Sequence, residues 1–297
     1  MTMFVELMPA SLVQAMIVSL LAIGIMISFK IINFPDFTPE GSYPFAGAVC
    51  SALIVGGVHP GVATIIACIS AGSMGVATAF LHLHLRINGL LAGIIISTMI
   101  YSLNIKLIGA QNIDLTGFEN LFSTISDNII YKILSLIGLN IIIIVPILLF
   151  FQTSIGLRLR AVGANPKFAA KQGINISTYT IVALFIANAL CGLSSSIIVQ
   201  IQGQADIDIG VGVVVHALAA LMIGEFILNP NNITTQILAP CLGSLVYTQL
   251  QAIAILIGFA ESDLKFFTGT IVLLILAIRH YTRSDATTSH RLHQTLV

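Results

Sequence analysis

The sequence predicts an all-α protein, a polytopic transmembrane bundle of about nine helices with an inverted internal repeat. Three observations predict it. First, 57% of the 297 residues are apolar and only 8% are charged, with 12 basic side chains balancing 12 acidic ones. Such a chain is hydrophobic without being basic or acidic, which excludes a disordered chain and a nucleic-acid binder. Second, the apolar residues fall in long runs, and a bilayer crossing needs about 20 of them. Nine crossings consume roughly 180 residues and leave roughly 100 for loops and ends, so residues 1–297 form a single membrane domain. Third, two stretches of the chain repeat one rhythm in opposite senses, as described below.

The runs cover residues 11–29, 39–57, 61–85, 88–108, 129–151, 178–201, 211–228, 233–258 and 264–278. Hydrocarbon offers no water to satisfy a backbone, so runs of this length must close their own hydrogen bonds as helices. Ala, Gly and Leu interspersed with Ile lack the strict alternation of a barrel strand. The first run has no basic segment before it and is expected to be retained rather than cleaved as a signal peptide. Cys50, Cys68, Cys191 and Cys241 lie singly inside apolar runs and read as small buried hydrophobes. The organisation is then a first half over about 11–128, a fifth helix with its following loop over 129–177, a second half over about 178–281, and a tail over 282–297.

Orientation follows from the cations. If the segment after the fifth crossing is cytoplasmic, Lys30, Arg86, Arg158, Arg160, Lys167, Lys171, Arg279, Arg283 and Arg291 lie inside, against Lys106, Lys132 and Lys265 outside. The positive-inside rule then places the N-terminus outside and the C-terminus in the cytoplasm.

The stretch from Gly41 through His59-Pro60 to Leu103 and that from Gly210 through Asn229-Pro230 to Leu276 share a Gly-led run, a tight X-Pro turn, a long run, a polar break and another run. Under this orientation they enter the membrane from opposite sides. Inverted repeats are a mark of alternating-access transporters, whose substrate route lies between the copies. Each copy opens on an irregular polar stretch, 33–42 and 200–210, in which prolines and glycines interrupt the helix. Non-helical backbone at membrane depth is tolerated where it borders protein or a water-filled route. Asp36, Glu40, Ser42, Asn188, Gln200, Gln202, Asp206 and His216 are therefore the candidate route-lining residues, mostly neutral donors and acceptors that let a substrate pass without trapping it. Ordinary solvated turns remain the alternative for the two polar stretches.

The segment 152–179 carries Arg158, Arg160, Lys167 and Lys171 and no acid. Asn165 can cap a helix, Pro166 suits its first position, and Gly173 suits the left-handed residue after its end. A helix from Pro166 to about Gln172 is too short to stand alone in water, so it needs a partner surface. On the outer side, Thr116 and Glu119 make a capping box before Leu115, Phe118, Leu121, Phe122 and Ile125, predicting an amphipathic helix on the membrane face.

Chemistry of other kinds is weakly represented. No Gly-x4-Gly-Lys-Ser/Thr occurs, so this chain has no visible means of binding ATP and Mg itself. No His-Glu-x-x-His occurs, and His82 and His84 sit on different helical faces, so no metal site is expected. Ser194 and Ser195 with His216 could form a protease dyad, but a Ser in a transmembrane helix more often bonds its own backbone. A secondary transporter or channel acting without an ATPase remains the alternative function, opposed by the scarcity of buried carboxylates, of which Glu225 is the main exception.

One resemblance is specific. Ser154-Ile155-Gly156-Leu157-Arg158-Leu159-Arg160-Ala161-Val162-Gly163-Ala164-Asn165-Pro166-Lys167, continuing through Lys171-Gln172-Gly173, resembles the coupling loop of permeases in ATP-binding-cassette importers of the branched-chain amino acid and ribose family. Asn33-Phe34-Pro35-Asp36, Gly41-Ser42, Arg86-Ile87-Asn88-Gly89 and Gln202-Gly203 with Ala205-Asp206 are similar to a branch associated with tryptophan or related amino acids. Glu40, Tyr43 and His216 depart from that branch. The resemblance implies a permease of the bacterial inner membrane, surrounded by lipid, that forms a homodimer, receives a small polar solute from an extracytoplasmic binding protein, and is driven by an ATPase subunit that binds the ATP and Mg. It implies that Gly156, Arg158, Arg160, Gly163, Asn165, Pro166, Lys167, Lys171 and Gly173 couple to that ATPase, and that the chain itself is not an enzyme.

Overall fold

The computed structural model describes residues 2–109, 112–123, 129–259, 263–264, 266–274 and 277. The first helix, α1 (Thr2–Met26), runs into a π-helical turn at Ile27–Ile31, and an irregular stretch leads to α2 (Pro39–Val55). Then come α3 (Pro60–Leu85), α4 (Gly89–Ile108), α5 (Ile129–Gln152), the short α6 (Ser154–Ala164) and α7 (Pro166–Lys171), and α8 (Ile176–Gln202), α9 (Val213–Leu228) and α10 (Ile233–Ile257). Helix boundaries follow local chemistry. The His59 ring accepts from the Gly61 N–H at the start of α3, and the Asn88 amide oxygen accepts from the Leu90 N–H at the start of α4.

Seven helices among the described residues are long and apolar enough to cross a membrane. With α2, of 17 residues, they match the expected runs to within a few residues, except that α1 begins well before residue 11. The ninth run, 264–278, is helical where it is described. Several of its residues, and the tail 282–297, lie outside the described residues, so nine crossings are not established.

The packing of the two halves is reciprocal. Helix α8 lies along α3 and α2, while α1 lies along α10 and α9, and α1 and α8 pack on each other. Each half thus lays its leading helix on the hairpin of the other, an arrangement that suits an inverted repeat. Close approach is possible because small residues stand at the crossings. A Cβ on Gly224 would collide with the Ala239 carbonyl across the α9–α10 crossing, and one on Gly243 with the Ala220 carbonyl. By contrast α5 buries little, and Ile142 is 73% exposed. In water such a surface would aggregate; in a bilayer it faces lipid.

Two elements differ from expectation. The loop expected on the outer side forms no amphipathic helix over its described part. Residues 115–123 are turns, and β1 (Asn112–Asp114) pairs antiparallel with β2 (Gln204–Asp206). The reason is local: the Asp114 carboxylate accepts from both the N–H and the hydroxyl of Thr116, so the threonine is not available as the expected cap. Ile125 lies outside the described residues. Helix α6 is the second difference, a separate element ahead of the expected short helix. Its signal was Thr153, whose hydroxyl accepts from the Gly156 N–H as an N-cap.

Candidate functional site

The 152–179 segment folds as the capping residues dictate. Asn165 accepts from the Phe168 N–H at 3.0 Å, Pro166 takes the first position of α7, and Gly173 adopts φ 76° after its end. Only Ala169 of α7 is buried. Phe168, Lys167 and Lys171 stand exposed on α7, as do Ile155 and Leu157 on α6, which packs against it. The result is an apolar and cationic knob, the composition of an interface core with a basic rim.

The knob is seated on α1. A Cβ on Gly163 would run into the carbonyl of Ile31 and the Cα of Ile32, so α6 touches the end of the π-turn backbone to backbone. Gly156 makes a similar approach to Phe150 and Phe151 at the end of α5. The two arginines have different surroundings. Arg158 is exposed, its guanidinium donating to the Tyr179 hydroxyl at 3.4 Å. Arg160 turns to a cavity of about 470 Å³ that it shares with Lys30.

A polar knot ties the first irregular stretch to α3 and α8. Asp36 is fully buried. One carboxylate oxygen accepts from the Thr38 N–H at 2.9 Å, the other from the Asn188 amide at 2.8 Å. The Asn188 oxygen accepts from the Ser42 hydroxyl at 2.7 Å, and Thr38 shares a hydrogen bond with Thr78 at 2.6 Å. A buried carboxylate is costly unless its lone pairs are met, and here both oxygens are. Three of the eight candidate route residues, Asp36, Ser42 and Asn188, therefore form one buried network.

The second irregular stretch approaches the first. After β2, a 3-10 turn at Ile207–Gly210 packs Ile207 near Ala48 and Gly210 against the Glu40 carbonyl and Pro44, so the backbone follows α2 from its middle toward its start. The two polar stretches thus meet at Glu40 and Gly210, covered by protein as non-helical backbone at depth must be. Gly89 and Gly93 admit the Phe34 ring and the Phe37–Thr38 backbone respectively, so this small-residue pair serves packing within the subunit.

The remaining candidates lie elsewhere. Gln200 is buried and committed to structure: its oxygen accepts from the Leu121 N–H, while its amide nitrogen donates to the Thr64 hydroxyl and the Ser196 carbonyl. Gln202 is exposed and lines a separate cavity of about 260 Å³ with Gln14 and Lys132. Asp206 caps the 3-10 turn through the Asp208 N–H. His216 is half-buried, its ring 6.0 Å from that of Tyr247. The Ser194 hydroxyl donates to the Ile17 carbonyl, packing α8 on α1. At the end of β1, the hydroxyl and N–H of Thr116 hold the Asp114 carboxyl below its ordinary value.

Sequence reasoning missed one relationship. The Lys30 ammonium sits 2.9 Å from one Glu225 oxygen and 3.0 Å from the other. Glu225, the exception among the scarce buried carboxylates, is thus an ion-pair partner, unlike the free acid that an ion-coupled carrier needs. No group of three or more metal-ligating side chains occurs among the described residues.

Comparison with known proteins agrees with this architecture. The family model described as branched-chain amino acid transport system, permease component, matches residues 7–276. A tyrosine transport system permease protein of Clostridioides difficile (strain R20291) is 31% identical over 266 residues, covering 89% of this chain and 88% of that one. A protein of Rickettsia prowazekii (strain Madrid E), without an assigned activity, is 32% identical over 272 residues, covering 90% and 95%. Among solved structures, an inward-facing metal-chelate type ABC transporter shares the fold with a TM-score of 0.52 at 16% identity, covering 92% of this chain and 86% of that one.

Proposed function

Because the chain belongs to the branched-chain amino acid transport system permease family, and so is a multi-pass, non-enzymatic subunit of an ABC importer working with a separate ATPase, we propose that it carries an amino acid into the cell. An aromatic amino acid is the favoured substrate, supported by the likeness to the tyrosine permease. The inner side of the membrane is the side of α6 and α7, consistent with the distribution of Lys and Arg.

The observation that carries the mechanism is the seat of α6 on the π-turn through Gly163 and Ile31. The ATPase docks on Phe168, Lys167, Lys171 and Arg158. When it closes, α6 pushes the end of α1, and α1 is packed on α9 and α10 of the other half. A push at the knob therefore rocks one half against the other and exposes the route alternately to each side. A second copy of the chain completes the route, and a solute-binding protein delivers substrate at the outer face formed by β1 and β2.

The test is co-expression with the ATPase and binding protein encoded beside it, followed by copurification and uptake in vesicles. Charge reversal at Lys167 and Lys171 with Phe168→Ala should release the ATPase and abolish uptake. Failure of the intact chain to retain any ATPase, together with uptake that survives those changes, would defeat the reading. Competition among tyrosine, tryptophan and nucleosides for uptake then decides the substrate.

A further inference from the structure

The cavity of about 470 Å³ beside the knob borders the coupling seat, with Ile31 and Gly163 in its wall, but its Asn33, Arg160 and Gln236 side chains have no part in the mechanism as described. Its walls bring together Lys30 and Asn33 from the end of α1, Arg160 and Leu157 from α6, and Gln236 from the first turn of α10. Its charge is unbalanced. Glu225 engages Lys30, but Arg160 has no acidic partner among the described residues, and the 152–179 segment supplies no acid at all. The start of the 25-residue α10 adds the positive end of a helix dipole. Asn33 is held at φ 54°, in the left-handed region, which costs energy for a residue with a Cβ.

A forked guanidinium with a nearby ammonium and two amides is a donor set for phosphate oxygens. Two features specify the source of the phosphate. The cavity lies where a transmembrane helix ends and a loop begins, the level of the headgroups. Leu157 is 62% exposed and gives it an apolar wall, which an inorganic ion does not need and a glycerolipid does. Basic pockets at this level bind anionic headgroups. We propose that this cavity binds the phosphate of an anionic phospholipid from the inner leaflet, anchoring the knob to the membrane surface. The inference rests on the inner-side placement above, and its failure is separable: ATPase retention reports docking, lipid retention reports the cavity.

The experiment uses the permease purified with its ATPase, incorporated in nanodiscs of phosphatidylcholine and phosphatidylglycerol, with lipid retained after delipidation measured by native mass spectrometry. Phosphatidylglycerol should be retained in preference. Arg160→Gln should lower that retention about fivefold, the worth of one basic residue at an anionic surface, while Arg160→Lys keeps most of it. Ala161→Phe, which fills the cavity without changing charge, should lower it too. Lys106→Gln, in the last turn of α4 and outside both the cavity and the docking surface, should not. ATPase retention on size exclusion shows that each variant is folded. Equal retention of both lipids, or retention untouched by Arg160→Gln and Ala161→Phe, overturns the proposal. Saturable binding of inorganic phosphate that Arg160→Gln removes, with no lipid preference, overturns the lipid source and leaves a free-phosphate site.

Discussion

Lys30, in the π-turn that ends α1, and Glu225, near the end of α9, form a two-pronged ion pair across the two halves of the molecule, with distances of 2.9 and 3.0 Å. The same turn bears the α6 contact at Ile31. The pair therefore stands one residue from the α6 contact, and in the proposed mechanism it clasps the two halves that rock against each other. A π-turn carries irregular hydrogen bonds and is a common place for function to concentrate.

Glu225→Gln and Lys30→Gln should each destabilise the protein, and their double-mutant cycle should show coupling. Removing one partner of a buried pair costs about 3–5 kcal/mol. Lys30 is 41% exposed, so water screens it and a coupling of about 1–2 kcal/mol is expected. Chemical denaturation in detergent measures it. Strictly additive single effects would show that the pair clasps nothing.

Gly163→Val should uncouple rather than unbind. The side chain would strike the Ile31 backbone, whereas the exposed face of α7 is untouched. ATPase copurification should stay at the wild-type level while substrate uptake falls at least tenfold, which corresponds to a transport barrier raised by about 1.4 kcal/mol or more. Loss of both together would mean that the knob is one rigid unit with no separate transmission contact.

Asn188→Leu should be far more damaging than Gln202→Leu. It strips a donor from the fully buried Asp36 carboxylate and an acceptor from Ser42, with an expected cost of about 2–4 kcal/mol. Gln202 is exposed, so its replacement should cost under about 0.5 kcal/mol. Thermal unfolding of the two purified variants compares them, and equal midpoints would remove the knot's structural role.

The Asp114–Thr116 turn should respond to acid in one direction. Hydrogen bonds from Thr116 depress the folded-state pKa of Asp114, so the stability that they contribute is whole above the unfolded value of about 3.9. It is lost as pH falls through the lower folded value. The Thr116 amide protection factor should follow that curve in hydrogen exchange. Asp114→Asn should flatten it, and protection lost already near neutral pH would contradict the assignment.

Where the governing physics is local, the elements were open to reading from the chain. The bounds of α3, α4, α8, α9 and α10 follow from apolar runs and from caps such as His59 and Asn88. The Asn165–Pro166–Gly173 signals specify α7 because each acts within a few residues. The helix expected over 115–125 does not form in its described part for an equally local reason: two capping schemes compete for Thr116, and the Asp114 carboxylate takes both its donors. The route candidates show the other limit. Gln200 and Asn188 look alike in the sequence, yet one fastens an outer loop and the other satisfies a buried acid.

The sequence by itself determined that this chain crosses a membrane as helices, that its two halves echo each other, and that the 152–179 segment is a cationic loop with a short capped helix, because hydrophobic runs, caps and charge counts are properties of neighbouring residues. Only the tertiary structure decided that Lys30 meets Glu225, that Gly163 rests on Ile31, that Asp36, Ser42 and Asn188 share one network, and that Arg160 turns from the knob into a cavity. Those relations join residues far apart in the chain. They are selected by which helix faces can approach closely while leaving no buried polar group unmet, and no local pattern encodes that.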